Sequence, residues 1–483
     1  MKNYLSTLPS QEKNLYERVA EYIHNLIKEG TLQPGDRLPS LRKLHQQLAV
    51  SISTVLEAYR LLEDRHLITV RPQSGYYVKT TIAPAEPFLS QPSIQKACFV
   101  DTSLAFQIRT AINNPQLIKL GAAIPHPVLF PVATLNRLMG QVIRAQPEAV
   151  HSYDIPIGCE SLRNQIAKRL IDAGCSVNPN QIVITNGTTE AIFLALKVVT
   201  KPGDTVAIES PTYYGLLEAL ESLHLKALEL PTHPREGISL EHLESAFQKE
   251  KVAACAIVSN FSNPLGSCMS AAKKQQLVSL LNQYNIPLIE DDIWGDICFA
   301  AQRPQAIKAF DTEGKVLYCA SVSKTLSPGL RVGWIVAESY QPQIEQLKAV
   351  INYNSTIAPQ LTVAAFLANG GYDRHLRKLR RAYQSQMQHM LQAICHYFPP
   401  ETRVTQPQGG HILWLELPQH FDAMILYQQA CQHNISISPG IIFSASGGYR
   451  NCLRLNCGIP WSDCLEQAVQ TLGSLTKQQF NGY

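Results

Sequence analysis

A lysine stands in a short loop of small and hydroxylated residues, Ser321-Val-Ser-Lys324-Thr-Leu-Ser-Pro-Gly-Leu-Arg331-Val-Gly-Trp334, directly after the apolar run 316–320. An amine at the carboxyl end of a buried parallel strand lies where α/β sheets bind ligands. It can condense with an aldehyde to an imine, and Arg331 nearby offers a planar fork of donors suited to a phosphate. Two more groups close other strand-like runs. Asn186-Gly187-Thr188-Thr189 follows the run 182–185 and opens a helical stretch, so bare backbone N–H groups and hydroxyls would face a phosphate dianion there. Asp291-Asp-Ile-Trp294 follows the run 287–290. A carboxylate buried at that strand end is costly unless it meets a cation. A protonated pyridine nitrogen is such a cation, and the pairing turns the ring into an electron sink.

The elements that must place these groups alternate. Strand-like residues 182–185 precede the helical 190–199, 206–208 precede 216–223, and 255–258 precede 273–283; the runs 287–290, 316–320 and 334–336 add further apolar strands. Such alternation predicts a mostly parallel sheet covered by helices. Beyond residue 350 the order changes to helices followed by short strands around 412–417 and 453–455, which predicts a smaller α+β part. Residues 81–114, with Pro84, Pro87 and Pro92 among Ser, Gln and Ala, read as a linker in which 103–108 can form a short helix.

The first eighty residues follow another plan. Leu15, Val19, Tyr22, Ile23, Leu26 and Ile27 recur at helical spacing, with Gly30 placed to end the helix. A turn at Pro34-Gly-Asp leads to Ser40, an N-cap for a helix burying Leu41, Leu44 and Leu48. Ser51 caps a second short helix with Val55, Ala58, Tyr59 and Leu62 on its inner face, and a hairpin turning at Gly75 completes a winged helix-turn-helix. The runs Gly30-Thr-Leu-Gln-Pro-Gly-Asp-Arg-Leu-Pro-Ser-Leu-Arg42, Val50-Ser-Ile-Ser-Thr-Val-Leu-Glu-Ala-Tyr59 and Ser74-Gly-Tyr-Tyr-Val78 resemble the DNA-binding domain of the GntR family. Relatives often carry Arg at the positions of Ile52 and Leu56, where a guanidinium contacts guanine or phosphate. Of that basic set only Arg42 remains, so the resemblance assigns base reading to Ser51, Ser53 and Thr54. Backbone contacts then fall to Arg42, Lys43 and the wing near Gln73.

From about residue 117 to 475 the chain resembles the fold-type I pyridoxal phosphate enzymes of the aminotransferase superfamily. The resemblance implies that Lys324 forms the imine with the cofactor and that Asp291 pairs with its pyridine nitrogen. Asn263, in Ser262-Asn-Pro-Leu-Gly266, matches the ring-hydroxyl partner, and Tyr213, in Ser210-Pro-Thr-Tyr213, the aromatic stacked on the ring. Gly187, Thr188, Ser321, Ser323 and Arg331 match the phosphate cradle, and Tyr153 matches a phosphate ligand supplied by a partner subunit. Arg454, in Leu453-Arg-Leu-Asn456, matches the arginine that holds a substrate carboxylate. One position departs: relatives have Tyr where this chain has Trp294, and an indole N–H can donate but neither ionise nor accept.

A winged helix-turn-helix over 1–80, a linker over 81–114 and an aminotransferase-like domain over 115–483, its large part about 115–349 and its small part about 350–483, resemble the MocR group of regulators over the whole length. That resemblance implies a homodimeric transcription regulator that binds operator DNA and responds to pyridoxal phosphate or an amino compound; the alternative is a working aminotransferase with a DNA-binding appendage. Composition agrees with a soluble cytoplasmic protein: 45% of the 483 residues are apolar and 17% charged, no stretch is apolar enough to span a bilayer, and no secretory leader opens the chain. Twelve scattered cysteines without a C-x-x-C pair predict reduced thiols and no metal site. Residues 1–80 hold eleven Lys and Arg against eight Asp and Glu, so most of the net charge of +4 lies in the DNA-binding segment.

Overall fold

The computed structural model describes residues 14–29, 31–33, 35–64, 67–71, 74–78, 84–92, 96–112 and 114–481. It divides into two compact units, Met1–Ala83 and Pro84–Tyr483. In the first, helices α1 (Leu15–Lys28), α2 (Leu41–Leu48) and α3 (Ile52–Asp64) precede the antiparallel hairpin of β1 (Ile68–Arg71) and β2 (Gly75–Val78). The hydroxyl of Ser40 accepts from Lys43 N at 3.3 Å to open α2, and that of Ser51 accepts from Thr54 N at 3.0 Å to open α3. Ala49 takes the left-handed conformation between them (φ 53°) and makes the tight turn. Val19, Ile23, Leu44, Leu48, Val55, Ala58, Tyr59 and Leu62 close on Ile68 and Val78 of the hairpin. The apolar faces read from the sequence therefore meet in one small core, which is what makes this a winged helix-turn-helix. Gly30, Pro34 and Gln73, assigned to a helix end, a turn and a wing contact, lie outside the described residues.

The second unit is built on a sheet of β3 (Cys98–Phe99), β4 (Ile182–Thr185), β5 (Thr205–Ser210), β6 (Lys226–His233), β7 (Val252–Ile257), β8 (Leu288–Asp291), β9 (Val316–Ser321) and β10 (Gly333–Val336). Their order is β3-β6-β5-β7-β8-β9-β10-β4, with Gly237–Ile238 paired beside β6. From β6 to β9 every pairing is parallel; β10 runs antiparallel to both β9 and β4, so β4 points the same way as β9. Strands buried on both faces, such as β5 and β9, are covered on either side by helices, as a parallel sheet requires. A second, antiparallel sheet of β11 (Arg403–Val404), β12 (Ile412–Glu416), β13 (Ser438–Pro439) and β14 (Cys452–Asn456) packs against helix Gly371–Tyr397 and the carboxyl-terminal helix Asp463–Asn481. All twelve cysteines are free, and no helix among the described residues is long and apolar enough to cross a membrane.

Two boundaries differ from those read in the sequence. Division at residue 350 fails on both sides: Leu120 belongs to the core of the small part, while Ile357, Leu361, Val363 and Phe366 pack with Leu135, Leu162 and Ile184 in the large one. The stretch 81–114 is not a free linker either. From Pro84 onward it is bound into the second unit: Val404 N donates to Ala85 O at 2.8 Å, Ser90 N to Thr232 O at 3.2 Å, and the Ser90 hydroxyl to Ser210 O. Helix α4 (Ser103–Ile112) then buries Ala105 and Ile108 against Trp414 and Phe443. Extended backbone that lends a sheet edge its hydrogen bonds has no period of its own, so proline content is what the sequence displays. Burying Val100 and Ile108 contributes roughly 2 kcal/mol each. A fragment beginning at Pro84 is therefore expected to unfold at a distinctly higher temperature than one beginning at Leu117, as followed by circular dichroism; equal midpoints would restore the linker reading.

Candidate functional site

The carboxyl ends of β4, β5, β7, β8 and β9 lie along one edge of the sheet, and each delivers a chemical group there. Lys324 comes three residues after Ser321, the end of β9. Its Nζ donates to Ala123 O at 2.6 Å and lies 5.3 Å from the ring centre of Trp294. Burial pushes the amine down to about 8, with Arg454 and Arg331 pushing the same way and Asp291 opposing. Near neutral pH an appreciable fraction is thus the free base, the form that attacks carbonyl carbon.

Asp291 is the last residue of β8 and is buried; its Oδ1 accepts from Ile293 N at 3.1 Å. Burial lifts its carboxyl to about 7, against the Ile293 N–H, and Asp292 adds to the rise while Lys324 lowers it. A cation placed beside it would bring that value back down.

Behind Lys324 the groups expected to cradle phosphate converge. Gly187, at φ +83°, caps helix α5 (Thr188–Val199), and a Cβ there would meet Arg331 Nη2 at 2.5 Å. Arg331 reaches across to donate to Asn186 O at 2.6 Å. The hydroxyl of Thr188 is buried without a hydrogen-bond partner. Ser321 and Ser323 are buried beside one another, their hydroxyls 3.1 Å apart. An α-helix leaves its first N–H groups without intrahelical acceptors, so this corner is rich in donors.

On the far side Tyr213 caps helix α6 (Tyr214–Ser222); a Cβ on Gly215 would approach its ring to 2.5 Å, so that glycine gives the phenol its place. Asn263 is buried and its Oδ1 accepts from Arg454 Nη1 at 2.8 Å. Arg454, in β14 and fully buried, also donates to Gly121 O at 2.5 Å and stands 4.9 Å over the Phe443 ring. Its Nε has no partner, and among the described residues no carboxylate forms an ion pair with it. Trp294 is buried with its edge against His411, ring centres 4.8 Å apart. Burial pushes that imidazole down to about 3, helped by Lys324 and opposed by the bond to Asn456, so the ring is neutral.

Tyr153 is not brought to this cluster. It is 87% exposed, and its ring packs on Tyr353. Several participants escaped the sequence reading. Ala123 and Gly121 act through backbone carbonyls, which no side-chain pattern reveals. Tyr383, which donates to Lys324 O at 3.2 Å, comes from the long helix of the small part. For His411 a signal did exist in Gly409-Gly410-His411: a Cβ on Gly409 would meet Ile297 O at 2.4 Å, so glycine there marks a strand forced close to the site loop. In the first unit Arg42 and Lys43 are exposed on the opening turn of α2. The hydroxyls of Ser51, Ser53 and Thr54 bond among themselves, with Ser51 Oγ 2.8 Å from Ser53 Oγ and 2.7 Å from Thr54 Oγ1.

Residues 127–472 match the aminotransferase class I and II family, and residues 15–78 match the gntR family of bacterial regulatory proteins. The chain is 40% identical, over 96% of its length and 99% of the relative's, to the HTH-type transcriptional regulator YdcR of Escherichia coli. It is 37% identical, over 95% and 98%, to the HTH-type regulator YjiR of the same organism. Among solved structures, the α-aminoadipate aminotransferase LysN of Thermus thermophilus, complexed with N-(5'-phosphopyridoxyl)-L-leucine, superposes with a TM-score of 0.74 at 27% identity, covering 80% of this chain and 97% of that one.

The lifted carboxyl of Asp291 yields a two-sided expectation. An acid whose folded-state value exceeds its unfolded one contributes stability that is full below about pH 4 and lost as pH rises through about 7. In protein freed of small molecules, Asp291→Asn should therefore raise the thermal midpoint at pH 8.5 and leave it nearly unchanged at pH 4. The same variant should bind pyridoxal phosphate roughly 10- to 100-fold more weakly, since a shift of one to two units corresponds to that factor. Loss of stability at pH 8.5 would show that the carboxylate is structural.

Proposed function

The chain belongs to the class I and II aminotransferase family and carries a GntR-family domain, the pairing of MocR-type regulators, and on that premise we propose that it is a DNA-binding transcription regulator. It holds pyridoxal 5'-phosphate on Lys324 and answers to the cofactor itself or to an amino-acid-like effector. The observation that carries the reading is a set of buried donors with nothing to donate to: the Thr188 hydroxyl and Arg454 Nε. A buried polar group left without a partner costs a few kcal/mol, so donors of this kind fit a site made for an anionic guest.

Thr188, Ser321, Ser323, Arg331 and the opening N–H groups of α5 would hold the phosphate; Asp291 would hold the pyridine nitrogen, Asn263 the ring hydroxyl and Tyr213 the ring face. Once bound, the group supplies an aldehyde and an electron-withdrawing ring. Lys324 offers a partly neutral amine to that aldehyde. Arg454, fork-shaped and free of a carboxylate among the described residues, selects guests that carry one. Trp294 takes the place where relatives have a phenol, and its indole cannot ionise to help move protons. This favours capture of an amino acid over rapid turnover. The intact set of Lys324, Asp291 and Arg454 supports a second reading, an aminotransferase with a DNA-binding appendage.

Tyr153 and Tyr353 meet edge to face in the open, and Ile155, Val350 and Ile351 are also exposed. A second copy of the chain would cover these side chains and carry Tyr153 to the phosphate of its neighbour. The resulting homodimer presents two winged units to repeated half-sites, and the regulator works in the cytoplasm. An effector shifts operator grip only through its different affinity for two arrangements of the dimer.

Purified protein mixed with pyridoxal phosphate should absorb near ~420 nm, as an imine conjugated to the ring does. Borohydride should then fix the adduct on Lys324, and Lys324→Ala should lose both signals. Footprints on DNA upstream of neighbouring genes should change with cofactor and an amino-acid panel for the parent protein but not for Lys324→Ala. Sustained turnover with 2-oxoglutarate would favour the enzyme instead, and a colourless protein without adduct would remove the sensor.

A further inference from the structure

The opening turns of α3 carry Ser51-Ile-Ser-Thr-Val-Leu-Glu57, a stretch without lysine or arginine. Its hydroxyls are largely committed. The two contacts from Ser51 Oγ to Ser53 Oγ and Thr54 Oγ1 take up two of the three hydroxyl hydrogens, and Thr54 N uses Ser51 Oγ as its acceptor. Val55 is buried in the core, Leu56 is half-buried, and Arg60 farther along spends its guanidinium on Glu57 at 2.7 Å. What this end of the helix extends outward is Ile52, whose surface is 45% exposed. A single exposed isoleucine on an ordinary surface needs no explanation. At the leading turn of the helix that enters the major groove it has a definite chemical counterpart.

The base edges in that groove offer acceptors on guanine, a donor on cytosine, one of each on adenine, and an acceptor on thymine. Thymine alone adds an apolar feature, its C5 methyl group. A cation that would select guanine is missing from these turns, and two of the three hydroxyl hydrogens that could reach a base acceptor are already spent on neighbouring hydroxyls. We infer that Ile52 is a specificity-determining residue that selects thymine at a fixed position of each operator half-site by packing against its methyl group. This rests on the reading of the first unit as a DNA-binding domain and adds to it which base is read and how. Arg42 and Lys43 then supply grip without sequence preference, as phosphate contacts do.

The test uses the full-length protein loaded with pyridoxal phosphate. Duplexes are recovered from a random library by repeated selection, and every thymine of the recovered half-site is replaced singly by deoxyuridine, which removes the methyl and leaves the pairing edge unchanged. One position per half-site should lose about three- to five-fold in affinity, the factor that burial of a single methyl commands. Ile52→Ala should bind thymine and uracil equally at that position, with the thermal midpoint of the parent. Ile52→Arg should shift the recovered base there toward guanine. Indifference of the parent protein to uracil at every thymine would overturn the inference, as would discrimination that survives in Ile52→Ala. A large drop in the midpoint of Ile52→Ala would also overturn it, by showing a structural side chain. Recovery of no preferred duplex at all would remove the DNA-binding reading beneath it, a result distinct from the other three.

Discussion

Lys324 and Arg454 meet in one site where, among the described residues, Asp291 is the carboxylate that opposes the lysine, and the rest of the second unit is arranged to tolerate that imbalance. Burial alone would neutralise all three. It brings the lysine down to about 8 and the aspartate up to about 7, so each stands close to changing its charge. Only Arg454 must stay charged at any accessible pH, and it is accordingly held by neutral acceptors, the Asn263 amide oxygen and the Gly121 carbonyl. Perturbed groups gathered in one cleft mark functional sites more often than structural ones. Here the two titratable members flank the strand ends where α/β sheets bind their ligands.

Such a site needs walls that do not relax. The loop bearing Trp294 is fixed at both ends by one buried guanidinium, Arg303, which reaches Asp292 at 2.5 Å and Asp296 at 2.7 Å. Tyr318 adds a hydroxyl to Asp292 and Tyr372 another to Asp296. On the opposite side Glu190 accepts from Lys348 and Asn352, and its other oxygen takes Asn186 N, so the turn that Arg331 braces is itself braced. Networks whose every member has a partner give low-dielectric sites their rigidity.

How far the sequence disclosed this depends on the kind of contact. Groups placed by strand ends were legible: Asn186-Gly-Thr, Asp291 and Lys324 each follow an apolar run, and the sheet brings those runs to one edge. Arg454 was legible only through family likeness, because the acceptors that hold it most closely, Asn263 and Gly121, sit nearly two hundred and more residues away along the chain. Tyr383 stayed hidden because it reaches the site from a helix of the other part, while His411 left only the indirect trace of the glycines before it. Helix Ile357–Ala368 was assigned to the wrong part because it is apolar on nearly every side; periodicity then reports burial without saying in which core. Ser51 was legible as a cap, whereas the mutual hydrogen bonds of Ser51, Ser53 and Thr54 are visible only in three dimensions.

The segment after Pro84 is stitched to both parts of the large unit: Pro84, Ala85 and Glu86 to Gln406, Val404 and Arg403, and Ser90 to Ser210 and Thr232. For anyone building chimeras this fixes the seam. A foreign reading head grafted ahead of Pro84 keeps every stitch, whereas one joined at residue 115, where proline content alone would end a tether, strips a rim of the body and leaves its amide and carbonyl groups bare to whatever strand comes by.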